Sequence, residues 1–327
     1  MKFLIAGLGS IGQRHLRNLR ALGETDVVAY RRRSLPLPPD LQVRAVSDLA
    51  AALEEKPDAV IVANPTILHV AVALEAARAG CHLLIEKPLS DDLEGVAELE
   101  EIVARKRLTV LVGYHLRFHP GLRLVKSLLD EQRVGRLIAA RIQCGEYLPV
   151  WHPWEDYRTS YSARRDLGGG VILTLSHELD YASWLFGDVQ RVVAFAWRRS
   201  SLELDVEDTA QITLEFRSGL TAQVHLDYIQ RPAARSCHVL GEEGQLVWDY
   251  FGQGVTLYEA STREWRTVPA QPGQERNDLY VSELKHFLDC VNSRSEPMTP
   301  LSSGRRVLEV ALAARQSAEK GELVSVP

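Results

Sequence analysis

No two of the four cysteines in this 327-residue chain, at positions 81, 144, 237 and 290, stand in Cys-x-x-Cys spacing. That scatter argues against a zinc cluster and a disulfide framework, and it fits a reducing compartment. The sequence also has no apolar run of membrane-spanning length, so no membrane partner is expected. The first apolar strand begins within two residues of Met1 and leaves no room for a signal peptide, which makes a cytoplasmic location the expectation. An excess of positive charge is missing too. With 38 Lys plus Arg against 43 Asp plus Glu the formal net charge is -5, and no basic field would draw in nucleic acid. A small-molecule partner is the expectation that remains. Hydrophobic content of 46% and charged content of 25% are those of an ordinary globular protein, and the length suits two domains with separate cores.

What the chain does have begins at once. The apolar stretch Lys2-Phe3-Leu4-Ile5-Ala6 runs into Gly7-Leu8-Gly9-Ser10-Ile11-Gly12 and then into a helical pattern from Gln13. A strand, three glycines in Gly-x-Gly-x-x-Gly spacing and a helix form a phosphate cradle. The first glycine permits the tight turn, the second admits a pyrophosphate to the backbone, and the third lets helix and strand pack closely.

Up to about residue 118 the pattern alternates apolar runs at 3–6, 27–30, 59–63, 82–85 and 109–113 with helical stretches at 12–22, 47–55, 67–79 and 91–106. Such alternation predicts a parallel sheet covered on both faces, the doubly wound α/β class. Beyond Pro120 the pattern changes. A helix at 121–131, a strand at 137–145, an aromatic loop at 147–161 and a helix at about 171–186 precede runs of period two, including 209–216 and 220–228. Hairpins at Arg217-Ser218-Gly219 and at Gly241-Glu242-Glu243-Gly244 join successive strands, so this half is α+β with a mostly antiparallel sheet. Two closing helices are expected near 278–292 and 302–320, the second a candidate to pack back on the first domain.

In a parallel sheet the loops after the strands share one cleft. Those loops carry Asn64-Pro65-Thr66 with His69, then Glu86-Lys87-Pro88, then Tyr114-His115-Leu116-Arg117-Phe118-His119-Pro120. A lysine directly after a buried strand, beside a cationic nicotinamide, has its ammonium form disfavoured and suits acid-base work. Lys87 is therefore the leading catalytic candidate; seen alone, Glu86-Lys87 would equally suit a solvated pair.

Together these motifs resemble the glucose-fructose oxidoreductase, inositol dehydrogenase and rhizopine-catabolism (Gfo/Idh/MocA) family, and the resemblance continues through Gly168-Gly169-Gly170 to His177 and Asp180. It implies a Rossmann domain over 1–120 and, over 121–327, a substrate-binding and oligomerisation domain with a large, mostly antiparallel open sheet. It implies hydride transfer between nicotinamide and a carbon of a sugar, sugar nucleotide or cyclitol, and a homodimer or homotetramer paired through that sheet. In family terms Lys87 contacts nicotinamide and substrate, His177 is the acid-base partner, and Asn64, Pro65, Thr66 and His69 line the cofactor with Gly7, Gly9, Ser10, Ile11, Gly12, Glu86 and Tyr114. A transient-oxidation glycosidase that holds NAD and a catalytically silent cofactor-binding regulator are the alternative expectations.

The residues argue for His177 independently. It lies three positions before Asp180, on one helix face, where a carboxylate would orient the imidazole. The family's helix has an aspartate one turn before the histidine, where this chain has Leu173 and Thr174. Thr174 offers a hydroxyl for hydrogen bonding but no carboxylate, and Glu178 points away from His177. The cofactor expected is NADP, with NAD as the other possibility. The second strand ends in Tyr30-Arg31-Arg32-Arg33-Ser34 with no acid to bind ribose hydroxyls, whereas Arg31 and Arg32 suit a 2'-phosphate and Tyr30 or Arg31 an adenine face. Substrate contacts are expected from Arg117, Tyr147, Trp151, Tyr161, Arg164, Thr174 and Asp180, although an aromatic loop such as 147–161 is equally a packing cluster. His115 and His119 are spaced like metal ligands but lack the adjacent glutamate, and no metal is expected.

Overall fold

The computed structural model describes residues 1–32, 38–252, 254–270 and 275–327. The chain divides into two compact units, Met1–His115 with Arg276–Leu308 and Leu116–Glu275 with Glu309–Pro327.

In the first unit the strands β1 (Phe3–Ala6), β2 (Val27–Tyr30), β3 (Arg44–Val46), β4 (Ala59–Val62), β5 (His82–Ile85) and β6 (Val110–Val112) form a parallel sheet in the order β3-β2-β1-β4-β5-β6. Between them run α1 (Ser10–Ala21), α2 (Leu49–Glu54), α3 (His69–Ala79) and α4 (Val96–Lys106). All four residues of β1, β2 and β4 are buried, as a sheet covered on both faces requires. The edge strand β3 was not legible in the sequence, because it has three residues and two of them are exposed. Helix α4 starts at Val96 rather than at 91, because Gly95 takes a left-handed φ of 74° and Asp92 caps a turn by accepting from Glu94 N–H at 2.9 Å. The strand order reverses between β1 and β4, which places a ligand crevice outside their carboxyl ends.

The second unit contains α5 (Pro120–Asp130), β7 (Leu137–Gly145), α6 (Val171–Thr174) and α7 (His177–Phe186). Then follow β8 (Val189–Trp197), β9 (Thr209–Phe216), β10 (Thr221–Asp227), β11 (Ala234–Gly241), β12 (Gly244–Asp249), β13 (Gly254–Glu259), β14 (Glu264–Pro269) and, at the end of the chain, β15 (Val324–Ser325). They form a sheet in the order β14-β13-β12-β11-β7-β10-β9-β8-β15, antiparallel throughout except for the parallel pair β7 and β10. Alternation is clean in β9, where Ala210, Ile212, Leu214 and Phe216 are buried and Thr209, Gln211, Thr213 and Glu215 stand on the other face. The single helix expected over 171–186 is two helices. Leu175, with ψ of 36°, and Ser176 break the run, so His177 opens α7.

Two helices remain, α8 (Arg276–Ser293) and α9 (Leu301–Lys320). The fully buried Leu284 and Phe287 of α8 join Phe3, Ile5, Leu16, Leu19 and Ile61 in the core of the first unit. That burial is why this unit extends beyond residues 1–120 to include a segment from near the end of the chain.

Candidate functional site

At the carboxyl end of β1 the backbone turns through Gly7, whose φ is +104° and where a Cβ would come within 2.6 Å of the Ala63 carbonyl oxygen. A Cβ on Gly12 would lie 2.0 Å from the Gly7 oxygen, so α1 packs against the turn as only glycine allows. At Gly9, the N-cap of α1, an added Cβ would meet nothing within 4 Å. No side chain caps α1 and its first turn has no acidic residue, so no acid of that turn offsets the positive end of the helix. A pyrophosphate fits this cradle, with Ser10 and Ile11 supplying first-turn amides.

The strand-end loops after β4 and β5 are tied together by His69. Its Nδ1 lies 2.9 Å from the Pro88 carbonyl and its Nε2 2.9 Å from the Asn64 carbonyl. Burial pushes this imidazole below its ordinary value, so it is neutral and donates to one of the two. The Asn64 Oδ1 is buried and has no hydrogen-bond partner within the described protein, an acceptor left for a ligand or water. Thr66 and Tyr114 are buried at the same ends. At the end of β2, Arg32 Nε donates to the Tyr30 hydroxyl at 3.0 Å and Arg31 N–H bonds the Val46 carbonyl. Arg33 and Ser34 lie outside the described residues.

Lys87 follows β5 directly. Glu86 before it is buried, and its Oε1 lies 2.7 Å from His15 Nε2 on α1. Burial lifts the Glu86 carboxyl, but the His15 hydrogen bond and charge, with Lys87 and His69 nearby, bring it below its ordinary range. The sequence reading did not include His15. It sits three residues after the last glycine of the cradle, 71 residues from its partner, and only the fold joins them.

In the second unit His177 is buried on the first turn of α7. The expected pairing of Asp180 with His177 is replaced by another. Asp180 Oδ1 accepts from Arg117 Nη2 at 2.7 Å, and its Oδ2 accepts from Arg117 Nε at 3.0 Å. Burial lifts the Asp180 carboxyl above its ordinary range while the guanidinium pulls the other way. Both groups, expected among the substrate contacts, are thus buried and spent on each other. Glu178, also fully buried, accepts from Arg235 Nε of β11 at 2.8 Å, a clamp the sequence reading missed. Two ion pairs, one buried and one partly buried, hold the helix that His177 opens.

The other expected substrate residues are scattered in role. Thr174 is buried at the end of α6, and the nearby Tyr228 hydroxyl donates to the Ser162 carbonyl at 3.3 Å. Arg164 forks onto the adjacent Asp166, with Nε 2.9 Å from Oδ1, so its charge is met locally. Tyr147 carries the Arg231 guanidinium 4.1 Å over its ring, Trp151 meets Tyr228 edge-on at 5.5 Å, and Tyr161 is half-buried. His119 accepts from Gly121 N–H at 3.1 Å as the N-cap of α5, while His115 stacks on Tyr280 at 4.1 Å. Among the described residues no three His, Cys, Asp or Glu side chains converge as a metal set.

A reversed parallel sheet with a glycine cradle at its switch point defines a dinucleotide-binding protein. The chain belongs to the Gfo/Idh/MocA oxidoreductase family: the oxidoreductase NAD-binding Rossmann fold matches residues 1–114 and the GFO/IDH/MocA C-terminal domain matches residues 122–247. It is an NAD(P)-dependent oxidoreductase. It is 30% identical to the 1,5-anhydro-D-fructose reductase of Ensifer adhaerens over 82% of this chain and 80% of that one. To the UDP-N-acetylglucosamine 3-dehydrogenase of Acidithiobacillus ferrooxidans it is 27% identical over 98% and 97%. A structure of levoglucosan dehydrogenase with NADH and levoglucosan superposes with a TM-score of 0.88 at 20% identity, covering 100% of this chain and 99% of that one. Among the described residues no helix is long and apolar enough to cross a membrane.

Proposed function

We propose that this oxidoreductase moves hydride between NADP and a hydroxyl or carbonyl carbon of a sugar, sugar nucleotide or cyclitol, with Lys87 and His177 handling the hydroxyl proton. The observation that carries the reading is the position of Lys87, at the carboxyl end of β5 and one strand beyond the switch point where the glycine cradle lies. The names of the relatives, a reductase of 1,5-anhydro-D-fructose and a dehydrogenase of UDP-N-acetylglucosamine, support the substrate class.

Bound nicotinamide supplies or accepts the hydride. The chain does the rest. Residues 7–12 bind the pyrophosphate, and Asn64, Pro65, Thr66, His69 and Tyr114 shape the nicotinamide end. Lys87 takes the hydroxyl proton during oxidation and returns it during reduction. His177 is the second proton-handling group of this reading, on a helix held through Asp180 and Glu178. Where the family has an aspartate this chain has the buried Leu173 and Thr174, neither of them a carboxylate, so proton transfer falls to the lysine and the imidazole. Preference for NADP follows from the absence of a carboxylate after β2 and the presence of Arg31 and Arg32 there.

Copies of the chain pair through the face of the large sheet that carries Phe195 and Trp197, which stack at 5.8 Å, with Arg199 4.6 Å over Trp197. Phe195 is 58% exposed and Trp265, on the same face at β14, is 50% exposed.

The deciding experiment follows the absorbance of reduced cofactor with purified protein, NADP or NAD, and a panel of sugars, sugar nucleotides and cyclitols. Net cofactor turnover with one of these is the expected result. Aryl-glycoside cleavage without net turnover would assign transient oxidation instead, and binding of cofactor without either reaction would assign a regulator.

A further inference from the structure

The carboxylate before Lys87 is held from two sides. His15 Nε2 reaches Oε1 at 2.7 Å, and the Lys87 backbone N–H reaches Oε2 at 3.3 Å. His15 is fully buried and Glu86 nearly so, and Gly113 leaves the slot open, since a Cβ there would come within 3.2 Å of Oε2. The His15 Nδ1 is buried with no hydrogen-bond partner within the described protein, which leaves Glu86 as the polar contact that fixes the ring. One carboxylate thus connects the helix of the phosphate cradle to the strand end from which Lys87 emerges.

We infer that His15 is a positioning residue for Lys87, acting through Glu86: it keeps the neighbouring carboxylate ionised and in place, so that a fixed negative charge sets the pH at which Lys87 gives up its proton. The inference rests on the reading of Lys87 as the group that handles the substrate proton. The charge balance around Glu86 supports it. His69 on α3 is neutral because of its burial. Tyr280 on α8, beneath the Arg14 guanidinium and stacked on His115, is pushed up to about 12 by burial, with the Glu86 and Glu283 charges adding to the rise despite Arg276 and Arg14 nearby. It therefore stays a neutral phenol at working pH. Burial pushes Glu86 itself toward its neutral form, and the His15 contact leads the effects that oppose this. Without a donor at position 15 a buried carboxylate of this kind takes up a proton well above its ordinary range.

The test reads the titration of Lys87, so it decides the role of His15 whether or not Lys87 proves to be the acid-base group. In the full-length protein carrying 13C-labelled lysine, the Cε resonance of Lys87, assigned by its loss in Lys87→Arg, is followed against pH. Glu86→Gln keeps the shape and an acceptor for His15 but removes the charge. It should lower the Lys87 midpoint by about one pH unit, and an unmoved midpoint overturns the inference. His15→Phe should add a second inflection between about pH 5 and 8 as Glu86 gains its proton, and His15→Gln, which restores an N–H donor, should remove it. A His15→Phe curve that matches the wild type overturns the role of His15. If His15→Phe does not fold, the Glu86→Gln midpoint and the shape of the His15→Gln curve decide.

Discussion

Arg117 holds Asp180 through two nitrogens, and the pair joins the turn before α5 to the helix that His177 opens. Side-chain exposure is 8% for the arginine and zero for the aspartate, so neither charge has water to fall back on. Asp180→Asn should therefore destabilise the protein by about 3–5 kcal/mol, because it leaves a buried guanidinium without its counter-charge. Urea unfolding measures this. The double change Arg117→Met with Asp180→Leu should cost less than either single change; equal or larger cost would show that the pair adds net stability.

Lys87→Met should reduce kcat by about 10²–10⁴-fold, the usual worth of a positioned acid or base. Cofactor affinity, read by quenching of protein fluorescence, should change by less than about threefold if the cradle provides most of the binding. A variant with full turnover would remove the lysine from the mechanism.

Arg31→Ala should raise KM for NADP about tenfold or more while leaving KM for NAD nearly unchanged, the discrimination expected from one charge-assisted contact to a 2'-phosphate. Parallel steady-state kinetics with the two cofactors measure it. Equal effects on both would assign Arg31 to the adenine or to the turn alone.

His119 gives the stability a pH dependence of known sign. Burial, with Arg235 nearby, lowers its imidazole to about 4, while the unfolded chain has the ordinary value of 6.5. Between those values the unfolded chain binds more protons, so stability is full above about pH 6.5 and is lost as pH falls toward 4, by roughly 3 kcal/mol from this group. His119→Asn keeps a side-chain acceptor for the helix cap and should flatten that part of the profile in chemical denaturation.

Phe195→Arg should lower the mass seen by light scattering, because it places a cation on the sheet face proposed to pair. Unchanged mass would place the contact between copies elsewhere or show a monomer.

The cradle and the parallel sheet were legible because they are local: apolar runs of strand length meet glycines whose spacing has a steric reason. The same logic located Lys87 after β5. What stayed hidden depends on chain closure. Nothing near Glu178 in sequence indicates Arg235, 57 residues away, and nothing near Glu86 indicates His15. The break at Leu175-Ser176 was hidden for another reason. Val171 to Leu175 is apolar throughout and fits one continuous buried helix as well as two short ones, so the i, i+3 argument placed Asp180 against His177 when its charge goes to Arg117.

Leu284 and Phe287 pack in a layer whose other buried members, from Phe3 to Leu111, are translated long before them. During synthesis the nucleotide-binding half therefore waits, with part of its interior open to solvent, until the ribosome has made strands β7 to β14. A nascent chain stopped before Arg276 would expose Phe3, Ile5, Leu16 and Leu19, and would be the form most in need of a chaperone.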